Sequence, residues 1–265
     1  MIDQTFATLV LDEPAARVLQ ITLNRPEFAN AFNTQMATDL MHCFETLALD
    51  AGDTRCVVLT GAGERSFCAG GDLKERDGMS NEAWTAQHLV YERMIRAVID
   101  CPVPVIAAVN GAAFGGGCEL AAAVDFVYAS DNACFAMTET SLGIIPGAGG
   151  TQTLGRALGE RRAKELIMSA RRFDAEQARQ WGLVNEVFAP ERLLEEALQV
   201  ASRIATNAPI AVRQAKQAIH RGLQMSLADA LAFEIEAYNR TVPTDDRREG
   251  VRAFNEKRSP EFRGK

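Results

Sequence analysis

The sequence holds only three histidines and six cysteines in 265 residues, and no CxxC pair. The cysteines stand apart at 43, 56, 68, 101, 118 and 134, and the one adjacency to histidine is His42-Cys43. A zinc site wants paired ligands at short spacing, so these read as reduced, mostly buried thiols in a reducing compartment. Basic charge is also short: 28 Lys and Arg stand against 35 Asp and Glu, for a net charge of -7. That balance argues against a nucleic-acid partner held by counterion release, although a local basic cluster can still meet a small anion. Long hydrophobic runs are missing too. The most apolar stretch, from Val103 to Cys118, is interrupted by Asn110 and four glycines, which excludes a membrane span there. The start of the chain carries Asp3, Asp12 and Glu13 and lacks the basic segment of a targeting peptide. The expectation is a cytoplasmic protein with neither a membrane nor a nucleic-acid partner.

What is present is ordinary globular material, 47% hydrophobic and 24% charged, in a chain long enough to bury a sizeable core. Short β-rich runs alternate with helical patterns through the first two-thirds. Val18 to Leu23, Cys56 to Thr60 and Val105 to Val109 read as strands, the last two continuous enough to be covered on both faces. Ala37 to Leu49 has helical periodicity, and Asn81 to Ile99 follows Ser80 as a cap. After about residue 150 the pattern turns helical. Helices are predicted over Glu160 to Ala170 and over Ala175 to Trp181, the latter between a capping Asp174 and Gly182. A strand follows from Leu183 to Phe188, then helices from Pro190, Pro209, Ser226 and Thr244. The class is α/β, with a core domain over 1–200 and a helical subdomain over 201–265.

Three glycine-rich segments exceed what packing requires. Ser66 to Glu75 reads SFCAGGDLKE and is expected to leave the sheet as a loop. Asn110 to Leu120 reads NGAAFGGGCEL and leads into a helix from Leu120 to Val124. Glu139 to Thr151 reads ETSLGIIPGAGGT. Glycine clusters are mostly turns, and Gly61-Ala62-Gly63 is accepted as one. Consecutive glycines at a helix start cost backbone entropy, tolerable where a ligand must approach the backbone. A helix N-terminus there offers free N–H groups to an anion or a developing oxyanion. Walker, dinucleotide, GxSxG and HExxH patterns are all absent, which disfavours phosphoryl transfer, nicotinamide chemistry and metallohydrolysis.

With Asn24-Arg25-Pro26, CAGGDLKE, IAAVNGAAFGGGCELAAAVD, ETSLGIIPGAGGTQ and FNEKRSP, the chain resembles the enoyl-CoA hydratase/isomerase (crotonase) superfamily over nearly its whole length. Through DLKERDGMS, RRAKELIMSAR and TVPTDDRREGVRAFNEKRSPEFRGK it is most similar to the 3-methylglutaconyl-CoA hydratase branch. The resemblance implies a crotonase-like superhelix of repeated ββα units and a C-terminal helical region that forms a homotrimer or a dimer of trimers. It implies an oxyanion hole made by the N–H groups of Gly71 and Gly116, with Glu119 and Glu139 holding one water between them. Two close carboxylates are expected to share a proton, so acid and base labels stay open. Gly147 is placed near that water. Ala69, Asp72, Leu73 and Lys74 are expected around the substrate, and Phe254 and Lys257 to reach a neighbouring subunit's site. Arg25 is either similar or a surface-turn residue. Trp84 to Tyr91 and Phe114 are candidates for the acyl pocket.

The implied activity is reversible hydration of an enoyl-CoA, in fatty acid or leucine degradation, with no cofactor beyond the CoA of the substrate. Retention of both glutamates points to a hydratase ahead of an isomerase on the same scaffold, and against an inactive subunit. An RNA-binding role, which the resemblance also raises, needs a lysine-rich helix; here TQMATDLMHCFETLALDAGDTR has no lysine. His42, His88 and His220 receive no role, and no arginine for an acyl carboxylate is identifiable.

Overall fold

The structure, a computed structural model, describes residues 5–265, so Asp3 lies outside it. β1 (Leu9–Ala15) and β2 (Val18–Leu23) form an antiparallel pair, and a 3-10 turn (Pro26–Phe28) leads to α1 (Thr34–Leu49). β3 (Cys56–Gly61) and β4 (Ser66–Cys68) precede the short α2 (Leu73–Arg76) and the long α3 (Asn81–Ile99). β5 (Val105–Val109), β6 (Ala112–Phe114) and α4 (Gly116–Ala123) repeat that order, followed by β7 (Phe126–Ser130) and β8 (Cys134–Ala136). A second 3-10 turn (Glu139–Leu142) opens the helical half: α5 (Gly150–Leu158) and α6 (Glu160–Ser169). Next come β9 (Phe173–Asp174), α7 (Ala175–Trp181), β10 (Glu186–Phe188) and α8 (Pro190–Ala205). The chain closes with α9 (Pro209–Gly222), α10 (Leu227–Asn239) and α11 (Asp245–Asn255).

From β3 to β8 each ββ pair splits between two sheets. β3, β5 and β7 enter a six-stranded sheet of order β1-β2-β3-β5-β7-β10, while β4, β6 and β8 enter a four-stranded one of order β4-β6-β8-β9. The pairs from β2 to β10 are parallel, with Val57 opposite Val105 and Ile106 opposite Phe126. β3 and β5 are buried at every position, as their unbroken apolar runs predict. The main core fills the space between the sheets and α1, α3 and α4. A second core seals the other face of the large sheet: Val18, Cys56, Val58, Ile106 and Ala108 meet Leu193, Ala197, Ala201 and Ala205 of α8. Alanines at four-residue spacing present a flat stripe that lets α8 lie close to the strands.

Several boundaries differ from expectation for local reasons. Ser66–Cys68 is not a loop but β4, hydrogen-bonded in parallel to β6. The helix after the second glycine segment starts at Gly116 and not at Leu120, because Gly115 takes a φ of 51° that turns the chain into it. α1 begins three residues early, since the Asn33 side chain accepts from the Met36 N–H. The strand expected from Leu183 shrinks to Glu186–Phe188, because the Leu183 and Val184 N–H groups still donate to Ala178 at the end of α7. α8 runs unbroken across position 200, so the appended helices start after Ala205. Five cysteines are buried and Cys134 is half-buried, all as free thiols. Burial pushes Cys43, Cys56 and Cys68 up to about 12, which keeps them as unreactive thiols. Among the described residues no cluster of three metal-ligating side chains occurs, and no helix is long and apolar enough to cross a membrane.

Candidate active site

The C-terminal ends of β4, β6 and β8 run directly into the three glycine-rich segments, which together floor a cavity of about 570 Å³. After β4, Gly70 adopts a φ of 90°, and a Cβ there would meet Phe114 O at 2.7 Å and Gly116 N at 3.0 Å. The Gly70-Gly71 segment and the start of α4 therefore lie side by side, and only glycine permits it. Phe32 ties the first segment down: its N–H donates to Gly70 O (2.7 Å), and its carbonyl accepts from Asp72 N (2.7 Å) and Tyr91 Oη (2.8 Å). Gly71 N–H, between these bonds, and Gly116 N–H, first of its helix, donate to no other described group.

Glu119 stands in the first turn of α4 and is 3% exposed. Its Oε1 accepts from the N–H groups of Ala148 and Gly150, both at 2.8 Å, so the third glycine segment wraps the carboxylate. Burial, then repulsion from Glu139, pushes Glu119 up to about 7, against the opposing pull of the two N–H groups and Arg76. Glu139, 7% exposed, opens its 3-10 turn with Oε1 near Gly115 and a buried Oε2 that has no hydrogen-bond partner. Burial raises its carboxyl as well. Two buried carboxylic groups, both with pKa raised by burial, thus face one cavity, an arrangement suited to giving and taking protons.

The cavity gathers Ala69, Gly71, Leu73, Gly116, Glu119, Glu139 and Gly147. It does not gather the other four candidates. Asp72 is turned away, its Oδ1 capping α2 at Lys74 N (3.1 Å) and its Oδ2 paired with Arg25 Nη2 at 3.0 Å. Arg25 is accordingly a structural partner whose guanidinium also covers the Phe28 ring. Lys74 lies exposed over Phe28; Phe254, 85% exposed on α11, and Lys257, just past the end of that helix, lie outside this cavity. Phe114 lies under Arg172 and does not line this cavity.

Two lining residues, one of them inside the expected Trp84 to Tyr91 wall, received no role of their own in the sequence reading. His88 Nε2 and Gly147 O stand 3.1 Å apart, and a Cβ at Gly147 would collide with that ring. The histidine on α3 thereby fixes the loop before Glu119's two N–H donors. Arg76, at the end of α2, is 9% exposed and lines the cavity beside Gly71. The run DLKER gave its position, but only the fold over α3 shows that it turns inward.

The enoyl-CoA hydratase/isomerase family model matches residues 13–265. A short-chain-enoyl-CoA hydratase of Clostridium acetobutylicum is 41% identical over 252 residues, covering 95% of this chain and 96% of its own. The 2,3-dehydroadipyl-CoA hydratase of Escherichia coli is 41% identical over 250 residues, covering 94% and 96%. A crystal structure of an enoyl-CoA hydratase from Bacillus anthracis superposes with a TM-score of 0.95 at 45% identity, over 97% of this chain and 100% of that one.

Proposed function

The chain belongs to the enoyl-CoA hydratase/isomerase family, and from that premise we propose that its cavity adds water reversibly across the 2,3 double bond of a short enoyl-CoA. The observation that carries this reading is the pair of buried glutamates, both with raised pKa, facing one cavity beside two free glycine N–H groups. Hydration of a conjugated thioester pushes electron density from the double bond onto the carbonyl oxygen. Gly71 and Gly116 supply neutral donors for that charge, each worth roughly 3–4 kcal/mol in comparable oxyanion sites. One water sits between Glu119 and Glu139. A carboxylate takes one of its protons as the water oxygen bonds to C3, and the partner carboxyl delivers a proton to C2. The pair ends with the same proton count, so the reverse dehydration uses the same groups. Gly150 and Ala148 hold one oxygen of Glu119 and leave the other for the water.

An isomerase needs only one carboxyl to shuttle a proton, so the second buried glutamate favours hydration. The acyl group is short, within reach of Trp84, His88 and Tyr91 on α3, and the crotonyl and 3-methylglutaconyl thioesters are the discriminating substrates. The exposed apolar faces of α9–α11 serve a homotrimer. Loss of enoyl absorbance measures the reaction directly. Glu119→Gln and Glu139→Gln should each cut kcat by about 100-fold or more. Full hydration in both variants would exclude the two-glutamate mechanism.

A further inference from the structure

We propose that His88 is a positioning residue for Glu119, acting through the Gly147–Ala148 peptide to hold that carboxylate in place and to favour its charged form. The proposal rests on the hydratase reading, in which Glu119 exchanges a proton with water or substrate, and adds the group that aims it.

Gly147 O can only accept, so in the 3.1 Å contact His88 carries a proton on Nε2 and donates. The Gly147 carbonyl and the Ala148 N–H belong to one planar peptide and point in opposite directions. That N–H donates to Glu119 Oε1 at 2.8 Å. Ring, peptide and carboxylate thus form one chain, in which a donor on the carbonyl polarises the amide and strengthens its N–H. The second donor to Glu119 needs no such help. Gly149 O, at the other end of the Gly150 peptide, accepts from the Gln152 and Thr153 N–H groups of α5. Gly147 O accepts from no described backbone N–H, so His88 is its one described partner. The loop is also pressed between the two side chains. A Cβ on Gly147 would overlap Cε1 and Nε2 of the ring, and one on Gly150 would meet Glu119 Cγ at 2.8 Å. Gly147 has no positive φ, so the ring and not the backbone excludes a side chain there. The other charges that face Glu119 are Glu139 and Arg76, with Cys118 a buried thiol beside it on α4. On α3, burial keeps Tyr91 neutral, and Glu92 is paired with Arg96 at the surface.

Neither glutamine nor leucine titrates, so comparing His88→Gln with His88→Leu separates Glu119 from the protonation of the histidine itself. The glutamine amide offers a donor at about the reach of Nε2, and leucine offers none. With crotonyl-CoA, the Glu119 limb of kcat/KM, near pH 7, should stay in place in His88→Gln. It should move up by about half a pH unit in His88→Leu, because weakening a hydrogen bond to the charged form favours the proton. In His88→Leu alone, kcat at pH 7 should fall about fivefold or more. KM should change little, since the Gly70–Gly71 peptide is held by Phe32 and the Gly115–Gly116 peptide by the Glu119 N–H. Equal limbs and equal rates in the two variants overturn the assignment. A second measurement needs no turnover. Ionising Glu119 removes stability as pH rises from about 4.5 through its folded value, so the urea midpoint should drop further between about pH 5 and 8.5 in His88→Leu than in His88→Gln. Equal drops overturn the assignment as well. A wild type that fails to hydrate crotonyl-CoA removes the hydratase reading, and the urea comparison then still decides whether His88 acts on Glu119.

Discussion

Glu119 illustrates how a proposed catalytic residue trades against stability. Its folded carboxyl titrates near 7 in place of the ordinary 4.5, chiefly because it is buried. The folded chain therefore holds this proton more tightly than the unfolded chain. Between about pH 4.5 and 7 a rise in pH removes stability, and above 7 the whole penalty is present, on the order of 3 kcal/mol. Glu119→Gln keeps an acceptor for Ala148 and Gly150 and has no charge to desolvate. Calorimetry should find its Tm clearly above wild type at pH 8 and close to it at pH 4.5. Equal shifts at the two pH values would show that burial of the charge is not the cause. Glu119 and Glu139 were legible in the sequence because the segments around them are distinctive. Arg76 and His88 were not, because each gains its meaning from a residue distant in the chain: Tyr91 and Gly71 for the arginine, Gly147 for the histidine.

Among the elements, those with a local cause were the most readable. β3 and β5 announced themselves by unbroken Val, Ile, Leu and Ala, and α3, α7, α10 and α11 by the caps Ser80, Asp174, Ser226 and Thr244. β1 was missed because its outer positions, including Asp12 and Glu13, are exposed and polar on an edge strand. β4 and β6 are three residues each and mean nothing until paired, and α5 opens on Gly149 and Gly150, residues that normally signal a turn. The contact between β4 and α4 gives a direct test of this second layer. A Cβ on Gly117 would fall far inside contact distance of the Cys68 carbonyl. Gly117→Ala gains helix propensity, yet it should lose about 3 kcal/mol of unfolding free energy in urea, since backbone cannot give way as a side chain can. A neutral or stabilising result would mean that β4 and α4 do not approach as described.

For the molecule as a whole, the C-terminal helices leave much apolar surface uncovered. Leu227, Leu231, Ile235 and Tyr238 recur along one face of α10 with exposures of 76%, 53%, 55% and 64%. Contiguous exposed patches of this kind mark interaction surfaces. Sedimentation should give three or six times the 28.8 kDa chain mass, and Leu231→Asp with Ile235→Asp should return the single-chain value. A wild-type monomer would contradict the proposed trimer. The cavity also has a divided construction: the segments that follow β4, β6 and β8 supply its glycine floor and two glutamates, whereas α2 and α3 supply Arg76, Trp84, His88 and Tyr91 as its wall. On the proposed function, chemistry and selectivity are thus inherited, His88 apart, through separate stretches of chain. A lineage could exchange the wall for a new acyl group while the reaction machinery persists unaltered, so a scaffold of this kind can diversify in diet without relearning its trade.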